Sequence, residues 1–356
     1  MNEKLRFAEA VCPGHPDRLA DAIADRIVAI AVARDPDSLV GVEVALHRNV
    51  VFVDGRIACG LGVAFLQESD VEAAVRESFR KAGYGAFEPD PSTVEVRFDL
   101  CLGPLEPEER VFRSVSDDQV IGVGHACRGE RAGLVPLEQA LARDFVAAIA
   151  ALREKGLAGT LGPDGKVLVA VRGRRLAAVS VSVHHEEDAE WTALVDAVRA
   201  SCLAVAAEYV AAGELEPPDE AVSWLFNGAG AFAVGGPLGD NGLSGKKLVA
   251  EAFGAAVPIG GSTVHGKDPH KPDVRAQRLA RERAVDLVRQ GHPEATVWVV
   301  FRPGDEEPRW VEEKVEGYGA APSARWRTPI APRASRPSCR NEDIPPSSCR
   351  AQSVLL

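Results

Sequence analysis

The sequence predicts an α+β fold of three structurally repeated domains, with the third cut short. Three observations predict it. The order helix, hairpin, helix recurs three times, with hairpins near residues 42–60, 166–183 and 296–315. The recurrence interval is about 125–130 residues, which is the scale of a domain and not of a solenoid repeat. The length of 356 residues matches two to three domains at roughly 150 residues each. The expected limits are an N-terminal domain at 1–108, a central domain at 109–225, an incomplete C-terminal domain at 226–319 and a disordered tail at 320–356.

The elements follow in order. Leu19, Ile23, Ile27 and Ile30 recur at helical spacing and predict a helix over 16–34. Pro16 suits its first turn, Asp17 favours its dipole, and Asp35-Pro36 ends it. Apolar runs at 42–45 and 50–53 read as strands, with Asp54-Gly55 as a hairpin turn leading into 57–60. A second helix is expected over 71–82. In the next copy a helix spans 137–157, a hairpin pairs 166–172 with 176–183, and a long helix covers 188–211. In the last copy a helix covers 273–290 and a hairpin pairs 296–301 with 309–315 around Pro303-Gly304-Asp305. A closing helix belongs after Tyr318, where the tail begins instead.

Charge separates the tail from the rest. Hydrophobic residues at 46% and charged residues at 26% fit a chain that buries a real core. The net charge of −11 argues against nucleic-acid binding. Residues 321–356 hold six Arg against Glu342 and Asp343, so residues 1–320 carry −15. That tail, with six Pro, six Ser and no apolar period, reads as disordered, and a frameshift near residue 320 would account for it. No apolar run reaches the ~18–20 residues of a membrane span, and 1–7 lacks an apolar signal segment. Seven widely spaced cysteines without a CxxC fit a reducing, cytoplasmic setting.

Three segments carry candidate chemistry. Gly14-His15-Pro16-Asp17 opens the first helix, where free N–H groups favour an anion and Asp17 can hold Mg²⁺. Residues 227–247 hold seven Gly, Asp240 and the pair Lys246-Lys247, a composition that lets backbone and cations approach phosphates. Residues 260–273 place Lys267, Lys271 and Asp273 together; Gly261 to Lys267 matches GxxxxGK, but Asp268 stands where Ser or Thr would hold the metal. Asp164-Gly165-Lys166 reads as a turn before a strand, and His184-His185 as a solvated strand end.

Taken in order, GHPD, DGKV, GGPLGDNGLSGKK and GKDPHKPD resemble the S-adenosylmethionine synthetase (methionine adenosyltransferase) family. The resemblance spans residues 1–290, and the threefold repeat is similar to that family's three related α+β domains. It implies that methionine sulfur attacks the ribose 5′ carbon of ATP and expels triphosphate, which is then cleaved to pyrophosphate and phosphate. It implies that His15 stabilises the leaving triphosphate and that Lys166, Lys246, Lys247 and Lys267 grip phosphates, with Asp164 beside them. By the same resemblance Asp17 and Asp273 would hold Mg²⁺, and Glu43 would hold K⁺. Phe232 would lie near adenine, Asp240 would touch ribose and the methionine ammonium, and Lys271 would stand on the methionine side. Asp118-Gln119 matches the family's Asp-Gln pair beside the site. A homodimer or dimer of dimers is also implied, since the family's site lies between two subunits.

Three departures fall on the methionine side. Arg56 stands where the family binds methionine with a Glu, and a reversed charge there would cost ~3–5 kcal/mol of binding. The segment 103–117 is short and lacks a methionine-contacting Gln, and Ala231 replaces an Arg. Two alternatives to S-adenosylmethionine synthesis therefore stand. One is an ATP-binding paralogue with a changed nucleophile or triphosphatase activity alone. The other is a non-catalytic subunit.

Overall fold

The computed structural model describes residues 4–60, 65–157 and 160–316. The expected tail and the closing helix after Tyr318 lie outside the described residues.

The helices form three layers, each on its own sheet. Helices α1 (Pro16–Arg34) and α2 (Glu68–Ala82) cover strands β2 (Leu39–His47), β3 (Val50–Cys59) and β4 (Glu95–Pro104). Helices α3 (Leu137–Leu152) and α4 (Trp191–Ala211) cover β6 (Leu161–Arg172) and β7 (Arg175–His185). Helix α6 (Pro272–Arg289) covers β10 (Glu294–Phe301) and β11 (Trp310–Glu316).

The sheets interleave the chain. Strand β1 (Leu5–Val11) pairs with β6, so the N-terminus edges the second sheet. Strand β5 (Val120–Cys127) pairs with β10 in the third sheet, and the two-residue β9 (Gly242–Leu243) pairs with β2 in the first. Strand β8 (Ser223–Phe226) closes the second sheet beside β7, and the one-turn helix α5 (Leu248–Glu251) follows β9. These exchanges tie the three layers together and bring chemistry from distant segments to shared edges.

Helix α1 shows how sequence becomes position. Leu19, Ile23 and Ile27 are fully buried along one face, and burying each contributes roughly 1.5–3 kcal/mol. Asp35 ends the helix in extended conformation, its N–H donating to Ala31. Replacing Leu19 by Ala would cost ~2–5 kcal/mol and loosen the helix whose first turn carries His15 and Asp17.

One element expectation is corrected. Asp54-Gly55 is not the hairpin turn, because β2 and β3 pair continuously from Leu39↔Ala58 to His47↔Val50. The turn is Arg48-Asn49, with Arg48 at φ 53°. Gly55 sits inside β3 at φ 118°, and a Cβ there would meet the Gly41 carbonyl oxygen at 2.1 Å. The glycine signal therefore marks close strand approach, not reversal.

Candidate active site

The start of α1 is built for an anion. His15 is its N-cap, with extended backbone and Nδ1 accepting the Asp17 N–H at 3.2 Å. That hydrogen bond places the proton of the neutral ring on Nε2. Burial, with help from the nearby Lys247 and Lys166 ammonium groups, pushes the His15 pKa down to about 4. His15 is therefore a neutral hydrogen-bond donor near pH 7.

Asp17 is fully buried one turn in. Its Oδ1 accepts from the Leu243 N–H at 3.1 Å, and Lys247 and Lys246 lie 2.9 and 3.4 Å away. Burial alone would raise its pKa, but Lys247, the Leu243 N–H and Lys246 outweigh it, so the carboxyl stays below its usual range. The glycine-rich segment reaches this helix because Gly242 has no side chain; a Cβ would meet the Pro16 carbonyl oxygen at 2.3 Å.

The Asp164-Gly165-Lys166 segment joins from β6. Gly14 donates to Pro163 at 3.0 Å and Cys12 to Gly165 at 2.8 Å, so the two motifs are stitched together by backbone. Asp164 is a structural anchor, accepting from Gly165 and Gly236, both at 2.7 Å. Burial pushes its pKa up to about 6 against those two hydrogen bonds. Lys166 pairs with Glu9 at 2.6 Å. His15, Asp164, Lys166, Phe232 and Asp240 line one cavity of about 200 Å³. Asp240 accepts from the Asn241 N–H at its rim.

A second group gathers at the start of α6. Lys271 is the N-cap residue without a side-chain cap, and Pro272 and Asp273 follow it. Lys267 pairs with Asp273 at 3.1 Å and donates to Ser262 at 2.6 Å. Lys271 pairs with Asp117 at 2.5 Å. Asp118 and Gln119 are exposed beside that pair. Asp268 is fully buried, accepts from Val40 N–H at 2.8 Å and pairs with Arg113 at 2.8 Å. It is committed to holding the segment 103–117 in place, which disposes of a P-loop role for GxxxxGK.

Among the described residues no ion pair joins the two groups. Gly266 packs beside Ala24, seven residues and roughly 10 Å along α1 from Asp17.

Two expected residues form no ion pair with either group, although Arg56 lies directly across from Gly41, which bridges to Lys267 and stands beside Lys271. Arg56 on β3 forms a bidentate pair with Glu109 at 2.9 and 3.0 Å and donates to the carbonyls of Cys101 and Pro104. Glu43 is exposed on β2, directly across from Asp54, which in turn opposes Asp99 on β4. Facing carboxylates of this kind repel unless a cation lies between them.

Sequence reading misjudged His184 and His185. Both are buried, and both fasten the glycine-rich segment to the end of β7. His184 Nε2 lies 3.2 Å from the Ala233 carbonyl, and its ring lies 5.6 Å from Phe232. His185 Nε2 accepts from the Phe232 N–H at 3.2 Å. Tyr84 was also missed; its hydroxyl donates to Gly14 at 2.6 Å and fixes the turn before His15.

Comparison with known proteins gives the same picture over most of the chain, residues 3–327. The S-adenosylmethionine synthetase family models match in order: the N-terminal domain over residues 3–100, the central domain over 113–232 and the C-terminal domain over 234–327. S-adenosylmethionine synthase 1 of Frankia casuarinae is 32% identical over 333 residues, covering 86% of this chain and 81% of that protein. S-adenosylmethionine synthase of Thermus thermophilus is 32% identical over 347 residues, covering 90% and 84%. That of Hyphomonas neptunium is 31% identical over 331 residues, covering 89% and 82%. With its three domains matched in sequence and Lys246 and Lys247 gathered on the first turn of α1, the chain belongs to the S-adenosylmethionine synthetase family.

Proposed function

We propose that this protein forms S-adenosylmethionine from ATP and methionine and cleaves the displaced triphosphate to pyrophosphate and phosphate. The observation that carries the reading is that His15, Lys166 and Phe232 line one cavity, while Lys246 and Lys247 gather on Asp17, two residues from His15. In the reaction a sulfur lone pair bonds to the ribose 5′ carbon while the C5′–O bond breaks. Its electron pair goes to the triphosphate, and the sulfur becomes a sulfonium. No proton leaves the nucleophile, so no general base is needed.

The residues divide the work accordingly. His15 Nε2–H donates to the departing oxygen, where negative charge grows. Lys246 and Lys247 turn from Asp17 to the phosphates when nucleotide enters, and Lys166 turns from Glu9. Phe232 stacks on adenine, and Asp240 at the cavity rim takes ribose and the methionine ammonium. Lys271, with Asp118 and Gln119 nearby, faces methionine.

A divalent cation fits this site, because Asp17 Oδ2 is buried and its close partner is the Lys247 ammonium at 2.9 Å, which turns to the phosphates in this reading. Asp17 and Asp273 would hold Mg²⁺, which supplies charge neutralisation to the triphosphate. Glu43, opposite Asp54, would hold K⁺.

Asp17 and Asp273 belong to separate groups, which supports a site completed by a second copy of the chain. Apolar side chains on strands of all three sheets support the same reading: Phe52 and Leu243 are 39% and 42% exposed, Leu225 is 52% and Ile121 is 50%. The reading includes a homodimer or dimer of dimers, with the cytoplasm as its setting from the cysteine usage. Among the described residues no helix is long and apolar enough to cross a membrane.

Arg56 is compatible with methionine as substrate. Its charge is committed to Glu109, so it does not stand as a free cation against an α-ammonium. The test is an assay of purified protein with ATP, Mg²⁺ and K⁺, with and without methionine. Methionine-dependent S-adenosylmethionine is expected alongside phosphate and pyrophosphate. Phosphate released with no S-adenosylmethionine would reject the reading.

A further inference from the structure

A cluster of one buried and two partly buried side chains outside the phosphate site remains unexplained by the reaction. Asp21 lies on α1, one turn beyond Asp17, and is fully buried. Its Oδ1 accepts the Gly245 N–H at 2.7 Å, while its Oδ2 is buried with no hydrogen bond. That free oxygen lies 3.9 Å from Nε2 of His265, which in turn lies 2.5 Å from Oε2 of Glu251 on α5. The three ligand atoms are all within 4.8 Å of one another.

Each of the three side chains is also held from behind. His265 Nδ1 is 2.7 Å from Asp25, Glu251 Oε1 takes Arg18 at 2.8 Å, and Asp21 Oδ1 has Gly245. This is the outer-shell arrangement that orients metal ligands, a carboxylate on the far imidazole nitrogen above all. Three carboxylates against the single Arg18 guanidinium leave two negative charges when His265 is neutral, which a divalent cation cancels.

We propose that Asp21, Glu251 and His265 form a second metal site, for a divalent first-row transition cation of the zinc class. One imidazole with two carboxylates suits Zn²⁺ better than Mg²⁺, which prefers oxygen and water. Ligand bonds of ~2.0–2.2 Å set ligand atoms roughly 3.3–3.6 Å apart, so shifts on the order of 1 Å accommodate the ion. Glu251 and His265 also line a surface cavity with Thr263, which gives the ion access and room for water in the open position. The ion braces α1 against α5 and against the segment that carries Lys267. None of the three ligands lines the cavity around His15.

The test uses the whole protein, stripped by chelator and titrated with Zn²⁺ in excess Mg²⁺ by calorimetry. One Zn²⁺ per chain is expected, with a higher Tm on binding. Affinity should fall at least ~10-fold in both Asp21→Asn and His265→Gln. Circular dichroism of the metal-free variants checks their folding. X-ray absorption of the Zn²⁺-loaded wild-type protein needs no variant and should show one imidazole and oxygen ligands. Binding that both folded variants keep unchanged, binding that excess Mg²⁺ abolishes, or a shell containing sulfur would each overturn the proposal.

Discussion

Helices α1 and α6 begin alike and end up in different electrostatic states. Each opens with a cap residue, then Pro, then Asp: His15-Pro16-Asp17 and Lys271-Pro272-Asp273. In α1 the cap is satisfied, since His15 accepts the Asp17 N–H, and the Asp17 side chain is 1% exposed beneath two lysines. In α6 the cap side chain is turned to Asp117, and the Asp273 side chain is 14% exposed beside Lys267. The same local sequence thus makes one closed, pre-organised helix start and one more open one. The difference teaches that a Pro-Asp helix start supplies the dipole and a carboxylate, whereas burial and distant lysines decide how strongly the site is set.

Substitutions can break this comparison. The largest effect belongs to His15→Ala, which removes the donor proposed to act at the departing oxygen. S-adenosylmethionine formation should fall by ~10²–10³ with little change in Tm. An unchanged rate would take His15 out of the chemistry. Lys247→Ala comes next, because it leaves Asp17 buried with a weaker counter-charge. A loss of ~3–5 kcal/mol is the ceiling for such a broken pair, and both Tm and kcat should drop. Thermal unfolding in parallel with steady-state kinetics checks it.

Phe232→Ala should raise the KM for ATP by about tenfold, in line with ~1–3 kcal/mol for stacking a base on an aromatic ring. A matching fall in kcat would mean that the ring positions the reacting atoms instead. The Arg56 pair sharpens the methionine question. Arg56→Glu alone places two carboxylates face to face and should lower Tm. Adding Glu109→Arg should restore most of the loss in a double-mutant cycle. Additive losses would show that the pair carries no coupling.

The smallest effects are in pH. With the His15 pKa at about 4, the rate profile should show no histidine step near 6.5. A step there that disappears in His15→Asn would contradict the neutral-donor role. His265 behaves in the opposite sense. Against its burial, Asp25, Glu251 and Asp21 raise its pKa to about 10 in the metal-free protein. The folded state then holds a proton that the unfolded state releases above about 6.5. That stability is fully present below pH ~6.5 and is lost as pH rises towards 10. Chemical denaturation across this range should show the decline in the wild type and a flatter curve in His265→Gln.

Much of the fold was legible because much of it is local. The apolar spacing and the Pro bounds gave α1 over Pro16–Arg34, and the turn at 173–174 gave the β6–β7 hairpin. What was not legible is long-range. Strand β9 has two residues and no pattern of its own, and β1 and β5 pair with strands far along the chain. The candidate phosphate residues were readable as motifs because Gly, Lys and Asp are dense there. Their supports were not: Tyr84 reaches Gly14 across 70 residues, and His184 and His185 reach the 232–235 segment across about 50. A buried histidine that holds a loop has the same local sequence as one at a solvated strand end.

The central claim is that the α1 half and the α6 half of a site come from different copies of the chain. It is tested most directly by mixing two inactive variants, His15→Ala and Asp273→Asn, under conditions of subunit exchange. Each mixed dimer then holds one site with both defects and one with neither. S-adenosylmethionine formation should return to about a quarter of the wild-type rate for random pairing. If mixed dimers form, as differently tagged subunits would reveal, and the activity stays at the level of the separate variants, the two halves meet within one chain and the account fails.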